Sequence, residues 1–382
     1  MNILVAVDSF KGSLSSLEAG QAIAEGIKNA SDNFNVEVLP VADGGEGTYK
    51  AIGDYLDGEF IELYVTDSLG NKIKVEYSII NSGGKHTAVI ETAQACGLPD
   101  VPKELRNPLY TTTYGLGEMI LDAIKKGCRN FIIGLGGSST NDCGIGMLQA
   151  LGYKFLDDNM QNVGYGGINL EKIRYIDPSN ANEFIPKCNF RIACDVDNPL
   201  YGKNGAAYIY APQKGATPEI VEKLDSGMKS FSNLCADFYG EDISSTPGCG
   251  AAGGLGFAFM RFLNTKLESG IKIVLDEIVF EKHVKNCDIV VTGEGRMDNQ
   301  TAMGKAPAGI TEIAQRYGKK VIAIAGSLDD DISECNKIGI ISCFSSINKI
   351  STLDEALNKD NAYRNLVSTT TQIFRLINEL SN

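Results

Sequence analysis

The chain has 382 residues, of which 43% are hydrophobic and 22% are charged, as expected for a globular protein with one large or two smaller cores. Its formal net charge of -13 and the lack of a basic run argue against a nucleic-acid partner, because phosphate backbones are bound mainly by Lys and Arg. No apolar stretch is long enough to span a membrane, so we expect no membrane partner.

The cysteines and histidines indicate the cellular compartment and argue against two kinds of site. The ten cysteines include no C-x-x-C pair, and the chain opens with a strand-like segment where a secretory signal would need a basic and an apolar region. We therefore expect free thiols and a cytoplasmic protein. The two histidines, His86 and His283, lie near no cysteine cluster, so a structural zinc site is not expected and a Ser-His-Asp hydrolase is disfavoured.

The start of the chain is typical of two strand-helix units. A strand at 3–7 ends in the polar turn DSFKGS, and the following helix has a capping box formed by Ser15 and Glu18. A second strand, VEVLPVA, ends in the turn ADGGEGT before another helix. Alternating strands and helices indicate a parallel sheet with helices on its faces.

From Phe60 the pattern becomes rich in strands. The segments FIELYVT, KIKVEYSII and HTAVIET are separated by short turns, which favours antiparallel hairpins. A buried strand at 131–133 and a helix from Pro218 to about Tyr239 are predicted further along.

Near Cys287 the strand-helix pattern returns and ends in a long helix from about Leu353. Because strand-helix units occupy both ends of the chain, we predict an α/β protein in which both termini form one sheet and the middle is inserted. The predicted domains are a parallel-sheet domain of residues 1–75 plus 285–382 and an inserted mixed-sheet α/β domain of residues 76–284.

Glycine-rich polar turns follow many of the predicted strands. They combine glycine, hydroxyl residues and carboxylates, often with one cation, and ligands of open α/β sheets bind where such turns collect. Taken singly, each could be a plain loop. The turns are DSFKGS (8–13), ADGGEGT (42–48), GLGGSSTNDCG (134–144), CDVDNPL (194–200), APQKGA (211–216), GCGAAGGLG (248–256) and TGEGRMDNQTAMGKAP (292–307).

Two common nucleotide-binding motifs are excluded. Gly304 and Lys305 are followed by Ala306 and lack the earlier glycine of a Walker sequence. GCGAAG matches G-x-G-x-x-G, but it follows SSTP instead of a strand, so a Rossmann dinucleotide site is rejected.

The remaining turns favour a phosphorylated ligand. Backbone amides of glycine-rich turns and of helix N-termini bind phosphate oxygens, which fits Gly136 to Thr140 ahead of a helix that begins near Gly144. Cations in the turns would stabilise charge on a transferring phosphoryl group, although each could also be a solvated loop residue. These cations are Lys11, Lys214, Lys305 and Arg296.

Carboxylates in the same turns have two possible roles. Asp195 and Asp197 lie two residues apart after a strand, so in extended geometry they point to opposite faces. One could bind Mg²⁺ and the other could accept the proton of a substrate hydroxyl, or both could belong to a turn ended by Asn198 and Pro199. The carboxylates Asp43, Glu46, Asp142, Glu294 and Asp298 are either ligand contacts or helix caps.

The turns as a set, in their order and over nearly the whole chain, resemble those of the type 1 glycerate kinases of the bacterial glycerate/glycolate pathway. The motifs that carry the resemblance are DSFKGSLS, ADGGEGT, GLGGSSTNDCG, ACDVDNPL, APQKGA, GAAGGLGF and TGEGRMDNQTAMGKAP. Cys143 and Ala211 stand where glycine is expected, and these are small departures.

The resemblance implies an ATP-dependent kinase for D-glycerate that uses Mg²⁺ and forms 2-phosphoglycerate. It also implies a flavodoxin-like domain made from both termini, an inserted domain like a restriction-enzyme fold, and a site in the cleft between them. On this basis we predict Asp195 as the general base and Lys11 as the electrostatic stabiliser. Asp197 is the first candidate metal ligand and Asp43 the second.

The other residues predicted to bind substrate or phosphate come from the same turns. If the protein is an enzyme, the alternative function is a kinase for another small hydroxy acid or sugar acid. If it is not an enzyme, the alternative is a non-catalytic sensor that binds a sugar acid. The density of polar turns argues against a sensor, and homo-oligomerisation is left open. The predicted binding residues are Ser9, Gly136, Gly137, Ser138, Ser139, Asn141, Asp142, Lys214, Glu294, Arg296, Asp298 and Lys305.

Overall fold

The computed structural model describes residues 1–381 and contains two compact units. The first unit comprises residues 1–43, residues 50–55 and the chain from 271 onward. The second unit comprises residues 44–49 and 56–270. Neither unit is therefore a continuous stretch of sequence.

The helices and strands alternate along much of the chain. The strands are β1 (Asn2–Val7), β2 (Asn35–Pro40), β3 (Glu59–Thr66), β4 (Lys72–Ser82), β5 (Lys85–Glu91), β6 (Asn130–Gly134), β7 (Lys154–Leu156), β8 (Tyr175–Asp177), β9 (Asn189–Ala193), β10 (Leu267–Glu268), β11 (Ile289–Thr292), β12 (Arg296–Met297), β13 (Lys320–Ala325), β14 (Ser327–Leu328) and β15 (Ile340–Ser345). The α-helices are α1 (Ser16–Ala30), α2 (Thr48–Tyr55), α3 (Thr92–Cys96), α4 (Tyr114–Lys125), α5 (Ile145–Ala150), α6 (Ala206–Tyr210), α7 (Pro218–Tyr239), α8 (Ala251–Phe262), α9 (Gly270–Glu277), α10 (Phe280–Asn286), α11 (Ala306–Arg316), α12 (Ser333–Lys337), α13 (Leu353–Leu357) and α14 (Lys359–Ser381).

A five-stranded parallel sheet forms the centre of the first unit, in the order β2-β1-β11-β13-β15. Counted along the chain within this unit, the order is 2-1-3-4-5, which is that of flavodoxin-like folds. The strands are nearly continuous apolar runs because helices cover both faces of a parallel sheet. One face packs against α1 and α14 through a core that includes Ile23, Leu366 and Phe374.

Several helix boundaries follow local signals in the sequence. The predicted capping box forms at α1, since the Glu18 amide donates to Ser15 Oγ and the Ser15 amide donates to the Glu18 carboxylate. The helix predicted to begin at Pro218 is α7, and Thr217 caps it. The single C-terminal helix predicted from Leu353 is instead two helices, α13 and α14. Among the helices within 1–381, none combines the length and apolar character needed to cross a membrane.

A six-stranded mixed sheet forms the centre of the second unit, in the order β3-β4-β5-β6-β9-β10. The first three strands are joined as antiparallel hairpins, and β5, β6, β9 and β10 run parallel. Its core includes the stacked rings of Phe131 and Phe190, which come from neighbouring strands. The predicted fold class, one parallel-sheet and one mixed-sheet α/β domain, is confirmed.

The boundaries of the units differ from the predicted boundaries after residues 75 and 284. Residue Glu59 of β3 pairs with Ile79 of β4, and the hairpin continues to Thr66 and Lys72, so residues 56–75 belong to the mixed sheet. Residues 271–284 belong to the first unit, where α10 packs near β1 and α11. The short segment 44–49 belongs to the second unit, which the sequence did not indicate.

Candidate active site

The carboxyl ends of β2, β1 and β11 lie side by side in the first sheet. The chain passes from β1 to β2 on one side and later adds β11 on the other side, so β1 and β11 flank the topological switch point. Ligands of open α/β sheets bind in the crevice at that point. Asp8 follows β1, Asp43 follows β2 and Glu294 follows β11, so each strand brings one carboxylate to this edge.

Asp8 is the most buried of these three carboxylates. The amide of Ser9 donates to Asp8 Oδ1 at 2.6 Å, and the Asp8 amide donates to the carbonyl of Gly293 at 2.8 Å. Burial and the neighbouring charge of Asp43 raise the Asp8 pKa to about 7, while Lys11 opposes the shift. The charge of Asp8 near neutral pH therefore depends on nearby cations such as Lys11.

Lys11 supplies the positive charge beside these carboxylates. Its Nζ lies 3.5 Å from Asp43 Oδ2. Partial burial lowers the Lys11 pKa, but the charges of Asp43 and Asp8 outweigh burial and the net shift is upward. Lys11 is therefore a fixed cation whose side chain is still largely exposed, as a contact to a substrate anion requires.

The third carboxylate, Glu294, is held by a side-chain hydroxyl. Thr301 Oγ1 donates to Glu294 Oε1 at 2.6 Å, and it also accepts a hydrogen bond from the Asp298 amide. Burial raises the Glu294 pKa, and the hydrogen bond from Thr301 and the charge of Lys305 oppose this. The turn after β11 therefore fixes the direction of one buried carboxylate.

The other charged residues of this turn lie around Thr301. Asp298 caps the short 3₁₀ turn 299–302 by accepting from the amides of Gln300 and Thr301. Lys305 Nζ is 3.9 Å from Asp298 Oδ1, so it belongs to the same group. Arg296 differs, because its exposed guanidinium pairs with Asp329 at 3.5 Å.

The second unit has its own carboxyl edge, formed by the ends of β5, β6 and β9. Asp195 and Asp197 follow β9, and both are exposed. Asp195 Oδ1 accepts a hydrogen bond from the Gly270 amide at 3.1 Å. Gly270 follows β10, which is held on β9 by the two-point contact of Arg191 with Glu268, at 3.0 and 2.7 Å.

The predicted anion-binding turn after β6 exposes its glycines and buries its polar side chains. Gly136 and Gly137 are exposed. Ser139 Oγ donates to the Cys96 carbonyl, and Asn141 Nδ2 donates to the Ala206 carbonyl at 3.4 Å. The backbone at Gly136 and Gly137 is thus the part that a ligand can reach, in line with the predicted role of backbone amides, while the side chains of Ser139 and Asn141 make contacts inside the protein.

Asp142 accepts several hydrogen bonds from within the protein. Its carboxylate accepts from the amide and hydroxyl of Thr113 and from the amides of Gly144 and Gly146. Complete burial raises the Asp142 pKa, and these four hydrogen bonds oppose the shift. A carboxylate surrounded in this way organises the start of α5 and is not directed at a ligand.

Lys214 is buried and supports the same turn. Its Nζ donates to the Thr140 carbonyl at 2.6 Å and to Ser138 Oγ at 3.1 Å. Burial lowers the Lys214 pKa to about 7, and the neighbouring Cys96 and Asp142 oppose the shift. The structure therefore gives Lys214 two contacts inside the protein in place of the predicted contact to phosphate.

Two buried carboxylates at these edges, Asp8 and Glu91, are not among the site residues predicted from the sequence. Asp8 directly follows the apolar run of β1, and Glu91 is the last residue of β5. Both could have been predicted from their position at the end of an apolar strand, because the carboxyl ends of parallel strands share an edge of the sheet. Thr301 has no such signal, since its contact with Glu294 depends on the fold of the intervening turn.

The carboxylates after β1 and β2 fit Mg²⁺ only together with a phosphorylated ligand. Within residues 1–381 no three His, Cys, Asp or Glu side chains converge into a group that could hold a metal ion. Mg²⁺ does not need such a group, because it binds through one or two carboxylates plus phosphate oxygens and water. Asp8 and Asp43 provide carboxylate oxygens of this kind.

A flavodoxin-like sheet with charged residues at its switch point, joined to a second α/β unit with glycine-rich turns, defines a class of α/β enzymes that bind phosphorylated ligands. A profile of the Glycerate kinase family matches residues 3–378. The chain belongs to the glycerate kinase family and is a kinase.

Individual relatives cover nearly the whole chain. A protein named glycerate kinase from Halalkalibacterium halodurans is 45% identical, over 94% of this chain and 93% of its own. A protein named glycerate 2-kinase from Escherichia coli is 44% identical, over 97% of this chain and 98% of its own. A crystal structure titled putative glycerate kinase 2, from Salmonella typhimurium, is 41% identical with a TM-score of 0.90 and covers 100% of this chain and 99% of its own.

Proposed function

We propose that this chain transfers the γ-phosphoryl group of ATP to the 2-hydroxyl of D-glycerate. The bond between the γ-phosphorus and the β,γ-bridging oxygen breaks, and a new bond forms from the glycerate oxygen to phosphorus. The products are ADP and 2-phosphoglycerate, and the hydroxyl proton passes to a carboxylate. The name of the Escherichia coli relative supports the 2-position.

The observation that carries the proposal is the position of Lys11 beside Asp8 and Asp43 at the switch point of the first sheet. Phosphoryl transfer needs little covalent chemistry from a protein and depends on placed charges. Lys11 would stabilise charge on the transferring group. The exposed glycine backbone at 136–137 would bind an anionic oxygen of a substrate.

Asp195 remains our candidate for the general base. The Gly270 amide orients its carboxylate, and the side chain is exposed, so a substrate hydroxyl could reach it. A base held in this way needs no change of conformation to accept a proton.

Mg²⁺ is part of the proposal, with Asp43 and Asp8 as the residues that would hold it. When bound, Mg²⁺ would neutralise charge on the phosphate oxygens. Asp43 is favoured over Asp197, because Asp43 lies in a group of charges at the sheet edge while Asp197 lies on an exposed turn. We expect turnover to be lost in EDTA and restored by added Mg²⁺.

The test is a coupled assay of ADP release with ATP, Mg²⁺ and D-glycerate, followed by phosphorus NMR of the product. We expect turnover that depends on D-glycerate and a 2-phosphoglycerate signal, with L-glycerate and no acceptor as controls. A 3-phosphoglycerate signal would overturn the regiochemistry. If folded protein shows no turnover with D-glycerate but does with another hydroxy or sugar acid, the substrate assignment is wrong.

Replacing Lys11 with Met should lower kcat by about 10²- to 10³-fold, because a single preorganised charge contributes about that much to a charged transition state. The matched control is Lys28→Met, which removes an exposed lysine on α1. Steady-state kinetics of both variants checks the prediction. Equal kcat for Lys11→Met and the control would remove Lys11 from the mechanism.

A further inference from the structure

Glu91 is a buried carboxylate at the carboxyl end of β5 that the mechanism above does not use. Its side chain is 3% exposed, and it pairs in register with Gly134 of β6, where the predicted anion-binding turn begins. Buried carboxylates are uncommon unless they are paired.

Backbone amides of the segment Gly44–Tyr49 surround this carboxylate. The Tyr49 amide donates to Glu91 Oε1 at 2.9 Å, and the nearby amides of Gly47 and Thr48 also lower the Glu91 pKa, although the Thr48 amide donates to the Gly45 carbonyl at 3.3 Å. The other oxygen, Oε2, is buried and finds no hydrogen-bond partner among residues 1–381. Glu91 therefore binds the Tyr49 amide, lies beside the two amides before it, and keeps its second oxygen without a donor from residues 1–381.

The segment that Glu91 holds touches the turn after β6 backbone to backbone. A Cβ at Gly134 would lie 2.3 Å from the carbonyl oxygen of Gly44, and a Cβ at Gly136 would lie 3.5 Å from the Cα of Gly45. Gly44 itself has a φ of +87° and packs against Ala193 Cβ. The two glycine-rich turns thus form one backbone surface at the carboxyl ends of β5, β6 and β9.

We propose that Glu91 is a positioning residue for phosphoryl transfer, which holds the Gly44–Tyr49 segment against the Gly134–Gly137 turn in the conformation that binds substrate. The proposal rests on the proposed function, since it assigns a use to the same turn. Glu91 does not touch the reacting atoms and acts through the backbone that it holds.

Burying the Glu91 carboxylate lowers the stability of the protein, and this effect can be measured. Burial raises the Glu91 pKa to about 7, and the three amides only partly oppose the shift. The folded state therefore binds a proton that the unfolded state has lost between pH 4.5 and about 7, so this group lowers stability as pH rises through that range. A residue kept for packing alone would not combine lost activity with gained stability when it is neutralised.

The first experiment compares Glu91→Gln with wild type in kinetics and thermal unfolding. We expect kcat/KM for D-glycerate to fall about 10- to 100-fold, because small displacements of positioning groups have effects of that size. We expect Tm at pH 8 to rise by about 2–4 °C and to rise less at pH 5. Wild-type kcat/KM, or a Tm that falls along with activity, would overturn the proposal.

The second experiment separates this proposal from the proposed function. In Glu91→Ala, amide hydrogen exchange at Tyr49, which loses its acceptor, should be at least about tenfold faster than in wild type. The matched control is Glu76→Gln, which removes a carboxylate that contacts the same segment through the Tyr49 hydroxyl at 3.0 Å. Unchanged exchange in Glu91→Ala would overturn the positioning role, whether or not the wild-type protein phosphorylates glycerate.

Discussion

Replacing Asp195 with Asn should lower kcat by about 10²- to 10⁴-fold, the usual contribution of a general base, while KM for ATP changes by no more than about threefold. Asn keeps the size of the side chain and an oxygen that accepts from the Gly270 amide. The loss would therefore report the missing proton acceptor and not a displaced turn. Steady-state kinetics with both substrates varied is the measurement.

Asp197→Asn is the matched control, because Asp197 is an exposed carboxylate on the same turn. We expect its kcat to stay close to that of wild type. If Asp195→Asn instead weakens ATP binding as much as it lowers turnover, Asp195 acts through bound metal and nucleotide. If Asp197→Asn shows the larger loss of kcat, the two roles are exchanged.

Replacing Lys214 with Met should lower the free energy of unfolding by about 1–3 kcal/mol, because two buried acceptors would lose their hydrogen-bond donor. These acceptors are the Thr140 carbonyl and Ser138 Oγ. Chemical denaturation of wild type and variant measures the loss.

The destabilisation should also depend on pH with a definite sign. Burial lowers the Lys214 pKa from 10.5 to about 7, so between these values the unfolded chain binds a proton that the folded chain does not. Stability from this group therefore increases as pH rises from about 7 towards 10.5. Lys214→Met should cost more at pH 9 than at pH 6.

Lys203→Met, which replaces an exposed lysine of the same unit, should leave stability unchanged at both pH values. If the Lys214→Met protein has wild-type stability but no longer binds ATP, the result would support the prediction that Lys214 contacts phosphate. A variant that is destabilised equally at both pH values would show that Lys214 remains charged in the folded protein.

Features that depend on neighbouring residues could be predicted well from the sequence. The capping box of Ser15 and Glu18 and the bounds of α7 both follow from residues within four positions of the helix end. The alternation of strands and helices at both ends of the chain likewise predicted one parallel sheet made from both termini, which is confirmed.

Features that depend on distant contacts were harder to predict. Lys214 lies in a turn that looks open to solvent in the sequence, and only its contact with Thr140 reveals that it is buried. The same holds for Ser139, whose hydroxyl has the composition of a phosphate ligand but donates to Cys96. A polar residue after a strand predicts that it lies at the ligand-binding edge of the sheet. Whether its side chain points to a ligand or into the protein depends on packing that the local sequence does not encode.

The pairing of β1 with both β2 and β11 has a consequence for synthesis of the chain. Ile3 pairs with Val36 early in the sequence, but its other neighbour, Ile289, is made only after the whole mixed sheet. Pairings between distant residues form slowly, because a long loop must close first. During synthesis on the ribosome, the mixed-sheet unit can therefore be nearly complete before β11 exists to pair with β1. A nascent chain stopped before residue 289 would expose one edge of β1 to chaperones or to other chains.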